Sequence, residues 1–303
     1  MCVEINDNLD TETVSEVLRL VELGSRADGL SALGEQPILN LRHGGDAPTA
    51  HLVIRDESGE AVAYANLDLS DAESVNVEML VHPMHRHGGH GERLVAGVLE
   101  HAARLGRGTV NVWAHGDHPS ALALADRHDF ARARVLWQMR RRLRDDEPIA
   151  TAGDGITIRP FAPGRDEQAL LRVNNAAFAD HPEQGRWTAR DVAVRERESW
   201  FDPNGLLLAE REEDGHVLGF HWTKVHGNGS GAIGEIYVLG VAPEAQGLRL
   251  GGALTVAGLK YLRDRGLGTV MLYVDESNVR AVRLYQRAGF HRWTTDINYQ
   301  KKL

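Results

Sequence analysis

The chain has 303 residues, 42% of them apolar and 25% charged, a composition that excludes disordered and fibrous classes and leaves room for two ordinary domains. The 43 acidic residues outweigh 34 basic ones, and the formal charge of −9 with no long basic run excludes a nucleic-acid backbone as an expected partner. No stretch approaches the roughly 20 apolar residues that span a bilayer, the acidic start does not read as a secretory signal, and one cysteine, Cys2, can form no internal disulfide. A cytoplasmic protein without a membrane partner is expected.

Taken in order, Thr13–Leu23 has the apolar spacing of an amphipathic helix, with Val14, Val17, Leu18 and Val21 on one face. Ala50–Ile54 and Ala61–Leu67 read as paired strands around the turn Asp56–Gly59, and Ser74–Val81 as the next strand. Then comes Arg86-His-Gly-Gly-His-Gly91, followed by an apolar helical stripe at Leu94, Val95, Val98 and Leu99. Glycines in such a loop let backbone N–H groups come close to phosphate oxygens. Histidines crowd the same region, at 82, 85, 87 and 90, with His115 and His118 further on. Their spacing follows no zinc pattern and no cysteine accompanies them, so no metal is expected and the stretch reads as a polar phosphate loop.

The second half repeats this layout. At a shift of 160 positions, Val241-Ala-Pro243 falls on Val81-His-Pro83, Gln246 on Arg86, Gly251 on Gly91, Gly268-Thr-Val270 on Gly108-Thr-Val110, and Phe290 on Phe130. A fixed offset through strand, loop, helix and strand marks a tandem duplication. The charged run Arg140–Arg144 and a polar linker containing Pro148 and Gly155 divide the copies, giving expected domains over residues 1–144 and 153–303.

In the second copy, Asp166–Phe178 is a helix candidate, and Thr188 with Asp191 resembles a capping box at the start of a helix running to Trp200. Gly205–Glu210 and Val217–Val225 form an expected hairpin. In Gly234–Leu254 the apolar run Ile236–Leu239 breaks at Gly240, turns at Pro243, and passes through a Gly-containing loop into a helix, a ready-made anion site. Thr269–Val274 reads as a strand, Asn278–Ala288 as a helix closed by Gly289, and His291–Gln300 as a last strand.

With Gln246-x-x-x-x-Gly251 after a broken strand and an Asn278…Tyr285…Gly289-Phe290 helix, both copies resemble the GNAT acyltransferase superfamily. The resemblance covers nearly the whole chain. It implies two tandem α/β (α+β) domains, each a mixed sheet whose fourth and fifth strands splay, flanked by helices, with acetyl-CoA in the opening. Longer phrases, among them Val173–Phe178, His181–Gly185, Trp200–Pro203, Gly219–His226 and Gly234–Val241, with Gly34–Gln36 and Trp113–Gly116 in the first copy, narrow it. They look like tandem GNAT enzymes that acetylate the cysteinyl amine of a cysteinyl-glucosaminyl-inositol.

The resemblance assigns roles to residues. For acetyl-CoA in the second copy it implies Leu239, Gly240 and Val241 on the broken strand and Gln246, Gly247, Leu248, Arg249, Leu250, Gly251 and Gly252 in the loop. Asn278, Val279, Arg280, Ala281, Val282 and Arg283 open the later helix and join that set. In the first copy it implies Met79, Leu80 and Val81, then His87, Gly88, Gly89, His90, Gly91 and Glu92. The acceptor residues it implies are Glu35, Glu183, Lys224, Glu235 and Tyr273. Carboxylates suit a cationic amine and sugar hydroxyls, and a lysine can donate to sugar or inositol oxygens.

Amide formation needs a neutral amine and a proton for the departing thiolate. A cysteinyl α-amine ionises near pH 8, so a modest push suffices. Glu235 is the candidate base, working through water, and Tyr285 the candidate acid. At the same offset they fall on Val75 and Ala125, so the second copy alone is expected to carry the chemistry. Glu78, three residues from Val75, should point to the opposite face by strand alternation. Arg249 stands where the family has a glycine and Gly89 stands in the first copy. A monomer is expected. Two other readings stay open: a GNAT acting on another amine, such as an aminoglycoside or a protein N-terminus, and a silent acyl-CoA-binding module.

Overall fold

A computed structural model of the chain describes residues 3–45, 47–146, 152–179 and 184–303. It divides into two compact units. One comprises Met1–Trp137, Asp275–Ser277 and Thr294–Leu303, the other Gln138–Val274 and Asn278–Trp293.

The first unit begins with strand β1 (Val3–Asn6) and helix α1 (Thr11–Asp28), which starts where Asp10 accepts the Thr13 N–H at 2.8 Å and stops at Gly29 in the left-handed conformation. Helix α2 (Glu35–His43) follows. Strands β2 (Thr49–Arg55), β3 (Ala61–Asp68) and β4 (Ser74–Val81) pair antiparallel, as the alternation and turn residues predict. Helix α3 (His90–Arg104) leads to β5 (Thr109–Ala114), parallel to β4, and then to α4 (Pro119–Arg127). The sheet order is β1-β2-β3-β4-β5, closed by the C-terminal strand β12 (His291–Lys302), which pairs antiparallel with β5 from Ile297↔Ala114 to Lys302↔Thr109. Alternation gives each face its own core. Val75 and Val77 pack with Leu94 and Val98 of α3, and Val53, Tyr64 and Leu80 with Val17 and Leu20 of α1.

The second unit takes in Gln138–Arg142, the end of β6 (Ala131–Arg142). Its sheet runs β6-β11-β10-β9-β8-β7, with β7 (Ile156–Pro160), β8 (Leu206–Arg211), β9 (Val217–His226) and β10 (Ile233–Val241) antiparallel and β11 (Thr269–Asp275) parallel to β10. The seam between units therefore differs from the sequence boundary, because each copy's last strand is shared out between them.

Helices α5 (Glu167–Ala177) and α6 (Ala189–Glu196) cover one face, and α6 opens on the Thr188–Asp191 capping box that the sequence predicts. Helix α7 (Leu250–Asp264) lies on the other, and α8 (Val279–Arg287) follows β11. His221 fastens α7 to β9 by donating its Nδ1–H to the Leu254 carbonyl at 2.7 Å. Only glycine fits at 258 beside it, since a Cβ there would come 2.0 Å from the imidazole. Burial pushes the His221 pKa down to about 4, and its Nε2 is buried without an acceptor among the described residues, so a second proton finds no partner there.

That fixes the sign of a pH effect. The stability held by neutral His221 is fully present above its ordinary pKa of about 6.5 and is lost as pH falls toward 4. Urea midpoints of the wild type and His221→Leu should therefore converge between pH 7 and 4. A gap that stays constant over that range would contradict the assignment.

Candidate active site

The second unit's site is organised by an irregularity in β10. Its register against β9 runs Glu235↔Lys224, Ile236↔Thr223, then Val238↔Trp222 and on to Val241↔Gly219, so Tyr237 is an extra, bulged residue. The break is thus at Tyr237, whereas Gly240, where the apolar run is interrupted, stays paired with Phe220 and leaves room for its ring. On the other side, β10 pairs with β11 from Gly234↔Val270 to Ile236↔Leu272, and pairing among the described residues ends there. The strands part beyond Ile236, one residue past Glu235, and Leu239, Gly240 and Val241 lie past that point.

Tyr237 is held firmly. Its hydroxyl accepts from Nε of buried Arg195 at 2.7 Å, and its ring lies 5.2 Å from Trp200 and 5.7 Å from Trp222, edge to face. The Lys224 ammonium stands 4.6 Å from the Trp200 ring and 5.1 Å from that of Tyr237, a cation–π pair of contacts that fixes its direction.

Glu235 is 6% exposed and faces the same side as Lys224. His226, diagonal to it on β9, donates Nε2–H to Glu235 Oε2 at 2.5 Å. The other carboxylate oxygen has no hydrogen bond among the described residues. Tyr273 lies on the same face by alternation from Met271, the partner of Glu235 on β11. Its hydroxyl accepts from buried Gln138 Nε2 at 2.7 Å. Neither His226 nor Gln138 is among the residues the sequence points to. His226 could have been found from the hairpin, because two residues past Lys224 returns to the same face.

Tyr285 is buried in α8, its ring 5.9 Å from Phe290. Burial pushes its pKa up to about 12, so it remains a phenol at neutral pH. Asn278 caps α8, its side chain accepting the Ala281 N–H at 3.1 Å. Val282 packs inward, Val279, Arg280 and Arg283 face solvent, and Arg280 Nη1 donates to Gln246 Oε1 at 3.1 Å, tying the two cofactor-loop candidates together.

The loop itself runs Gln246, Gly247, Leu248 and Arg249 into Leu250, Gly251 and Gly252 of α7, whose first turn has no side-chain cap. Free N–H groups at a helix start favour an anion. Arg249 takes the left-handed conformation, φ 60°, that Gly89 takes at φ 79° in the first unit. It is exposed and fits the turn, at a cost that glycine avoids. Arg249→Gly should therefore raise stability by about 0.5–1 kcal/mol, read as a higher urea midpoint with unchanged slope. A lower midpoint would show that the arginine side chain makes a stabilising contact.

In the first unit, β4 has no bulge. Its register with β3 is continuous from Asn76↔Asp68 to Val81↔Ala63, and its pairing with β5 runs from Ser74↔Thr109 through Glu78↔Trp113. Setting the two units' registers side by side puts Gly234 opposite Val75 and Glu235 opposite Asn76, the extra residue Tyr237 absorbing the difference. The sequence offset that placed Glu235 on Val75 is therefore wrong by one residue at that point. Glu78 is likewise corrected, since it lies on the face of Asn76 and not on the opposite one. Ala125 remains the counterpart of Tyr285, buried in α4. Met79, Leu80 and Val81 end β4, and His87 and Gly89 take positive φ before α3. His90, Gly91 and Glu92 open that helix, where His90 is buried, Gly88 and Gly91 pack closely, and Glu92 pairs with Arg127 at 2.7 Å and with His128. His82 and His118 cap short helices, and no group of three potential metal ligands gathers among the described residues.

Glu35 is the first residue of α2 in the first unit, and Glu183 lies outside the described residues. Among the described residues no helix is long and apolar enough to cross a membrane.

The acetyltransferase (GNAT) family matches over residues 25–130 and again over 170–290. A mycothiol acetyltransferase from Stackebrandtia nassauensis is 69% identical over 303 residues, 99% of each chain, and one from Thermomonospora curvata is 52% identical over 97% of this chain and 96% of its own. Among solved structures, a tandem GNAT protein from the clavulanic acid biosynthesis pathway aligns with a TM-score of 0.76 over 99% of this chain and 98% of its own, at 20% identity. A GCN5-related N-acetyltransferase from Sphaerobacter thermophilus aligns at 0.69 with 28% identity, over 99% and 95%.

Proposed function

The chain belongs to the GNAT acetyltransferase family and uses acetyl-CoA, and we propose that it makes mycothiol, moving the acetyl group to the cysteinyl amine of cysteinyl-glucosaminyl-inositol. The observation that carries this reading is the bulged β10, which parts from β11 just beyond a buried carboxylate. The full-length likeness to mycothiol acetyltransferases supports this acceptor over other amines.

Where the strands part, the N–H groups of Leu239–Val241 receive the pantetheine arm and the thioester oxygen, an oxyanion-type role. The α7 N-terminus takes the pyrophosphate. Glu235, oriented by His226, draws the amine proton away through a water on its open oxygen. The amine nitrogen attacks the thioester carbon, the C–S bond breaks, and Tyr285 gives its proton to the CoA thiolate. Lys224, steered by Trp200 and Tyr237, and Tyr273, held by Gln138, donate to acceptor oxygens, while Glu35 and Glu183 complete acceptor recognition. The first unit keeps a cofactor loop and lacks both proton-transfer groups. The reading makes the protein a cytosolic monomer.

The test is mass spectrometry of the purified protein with acetyl-CoA and a panel of amines. N-acetylation of cysteinyl-glucosaminyl-inositol is expected to dominate. Robust acetylation of another amine with none of this acceptor would sink the specific reading and leave the GNAT assignment standing.

A further inference from the structure

Three charged groups that the proposed chemistry leaves unused meet at the head of the first unit's sheet. His115 follows β5, with Nε2 3.0 Å from Glu78 Oε2 and Nδ1 3.2 Å from Asp296 Oδ2 on β12. A neutral imidazole has one N–H, so bonding carboxylates on both sides requires the imidazolium. Burial alone would lower the His115 pKa, but hydrogen bonds and charge from the two carboxylates outweigh it and push it up to about 10. With both ring nitrogens donating, His115 has no lone pair to take a proton and cannot serve as a base.

What the cluster does is mechanical. The second oxygen of Asp296, Oδ1, accepts the Gly116 N–H at 2.9 Å, which fixes the end of β5. The Glu78 carboxylate accepts the N–H of Gly34, the N-cap of α2. Gly34 has no side chain to cap the helix, and Glu78 sets its carboxylate against the Gly34 N–H just ahead of the first turn, where a negative charge suits the helix dipole. The fit is close: a Cβ on Gly34 would come 2.8 Å from Glu78 Oε1. The next residue along is Glu35.

We infer that Glu78 is a positioning residue for acceptor recognition, anchored by His115 and Asp296 and setting where α2 presents Glu35. The inference rests on the reading of Glu35 as an acceptor ligand.

The test is steady-state kinetics with acetyl-CoA and cysteinyl-glucosaminyl-inositol on Glu78→Ala, Gly34→Ala, Glu35→Gln and the double variant Gly34→Ala/Glu35→Gln. Each single substitution should raise the acceptor KM roughly tenfold while kcat and the acetyl-CoA KM stay within about twofold. The double variant should be no worse than Glu35→Gln alone, because Gly34 and Glu78 act through Glu35. Should Glu78→Ala fold poorly, Gly34→Ala carries the test, since φ −65° and ψ 171° at that position suit alanine. A raised KM for Glu35→Gln with normal KM for the other two would overturn the positioning role and keep Glu35 as a ligand. A normal KM for Glu35→Gln would overturn that reading and this inference with it. Multiplying effects in the double variant, or equal losses in kcat and acetyl-CoA affinity, would mark general damage and overturn the inference as well.

Discussion

Glu235→Gln should slow acetyl transfer at saturating substrates by about 10²-fold or more while leaving the acetyl-CoA KM nearly unchanged. Glutamine keeps an oxygen to accept the His226 N–H, so the local geometry survives and what is lost is the capacity to take a proton. The deficit should depend on pH in one direction. An α-amine titrates near pH 8, so above that value most of the acceptor is already neutral and needs less help. Rates of variant and wild type measured from pH 6.5 to 9.5 should therefore converge as pH rises. A constant ratio would mean that Glu235 binds the acceptor and does not move its proton.

Tyr285→Phe should cost a similar factor in kcat, for the opposite half of the reaction. Phenylalanine retains the packing on Phe290, and the change in stability should be small enough that the melting temperature moves by no more than about 2 °C. Because burial keeps the tyrosine protonated, its proton is available to the departing thiolate at neutral pH. An acetyl thioester of a more acidic thiol departs with less assistance, so that substrate should restore much of the lost rate. Equal deficits with both thioesters would remove Tyr285 from the proton-transfer step.

Much of the fold is readable from the sequence because strand alternation, the helix caps and the shifted repeat all agree. The Thr188–Asp191 box and the left-handed Gly289 fall where the residues predict. Two features are not readable, each for a physical reason. The last strands of the copies carry similar half-buried patterns, and pattern alone cannot say which sheet a strand joins. That choice puts β12 beside β5. A bulge adds one residue without altering the hydrophobic pattern enough to be seen, so a gapless offset paired Glu235 with Val75 when register pairs it with Asn76. The same slip hid Glu78, whose carboxylate turns out to hold the start of α2. Helix α2 itself was visible only as the phrase Gly34-Glu-Gln36, since proline and asparagine interrupt its short periodicity.

The duplication thus reads as two sheets of one design with different fates. In the second unit the bulge at Tyr237 and the early strand parting lie beside buried Glu235, the proposed base. In the first the strands pair one step further, and Glu78 on the equivalent face bonds His115.

The most direct test of this division is the rate of cysteinyl-glucosaminyl-inositol acetylation by the full chain carrying Glu235→Gln and Tyr285→Phe together, with the first unit untouched. If the chemistry belongs to the second unit alone, the double variant should fall to the rate without enzyme or to a small residue above it while remaining folded. Turnover within about tenfold of wild type would contradict the account and place the reaction elsewhere in the chain.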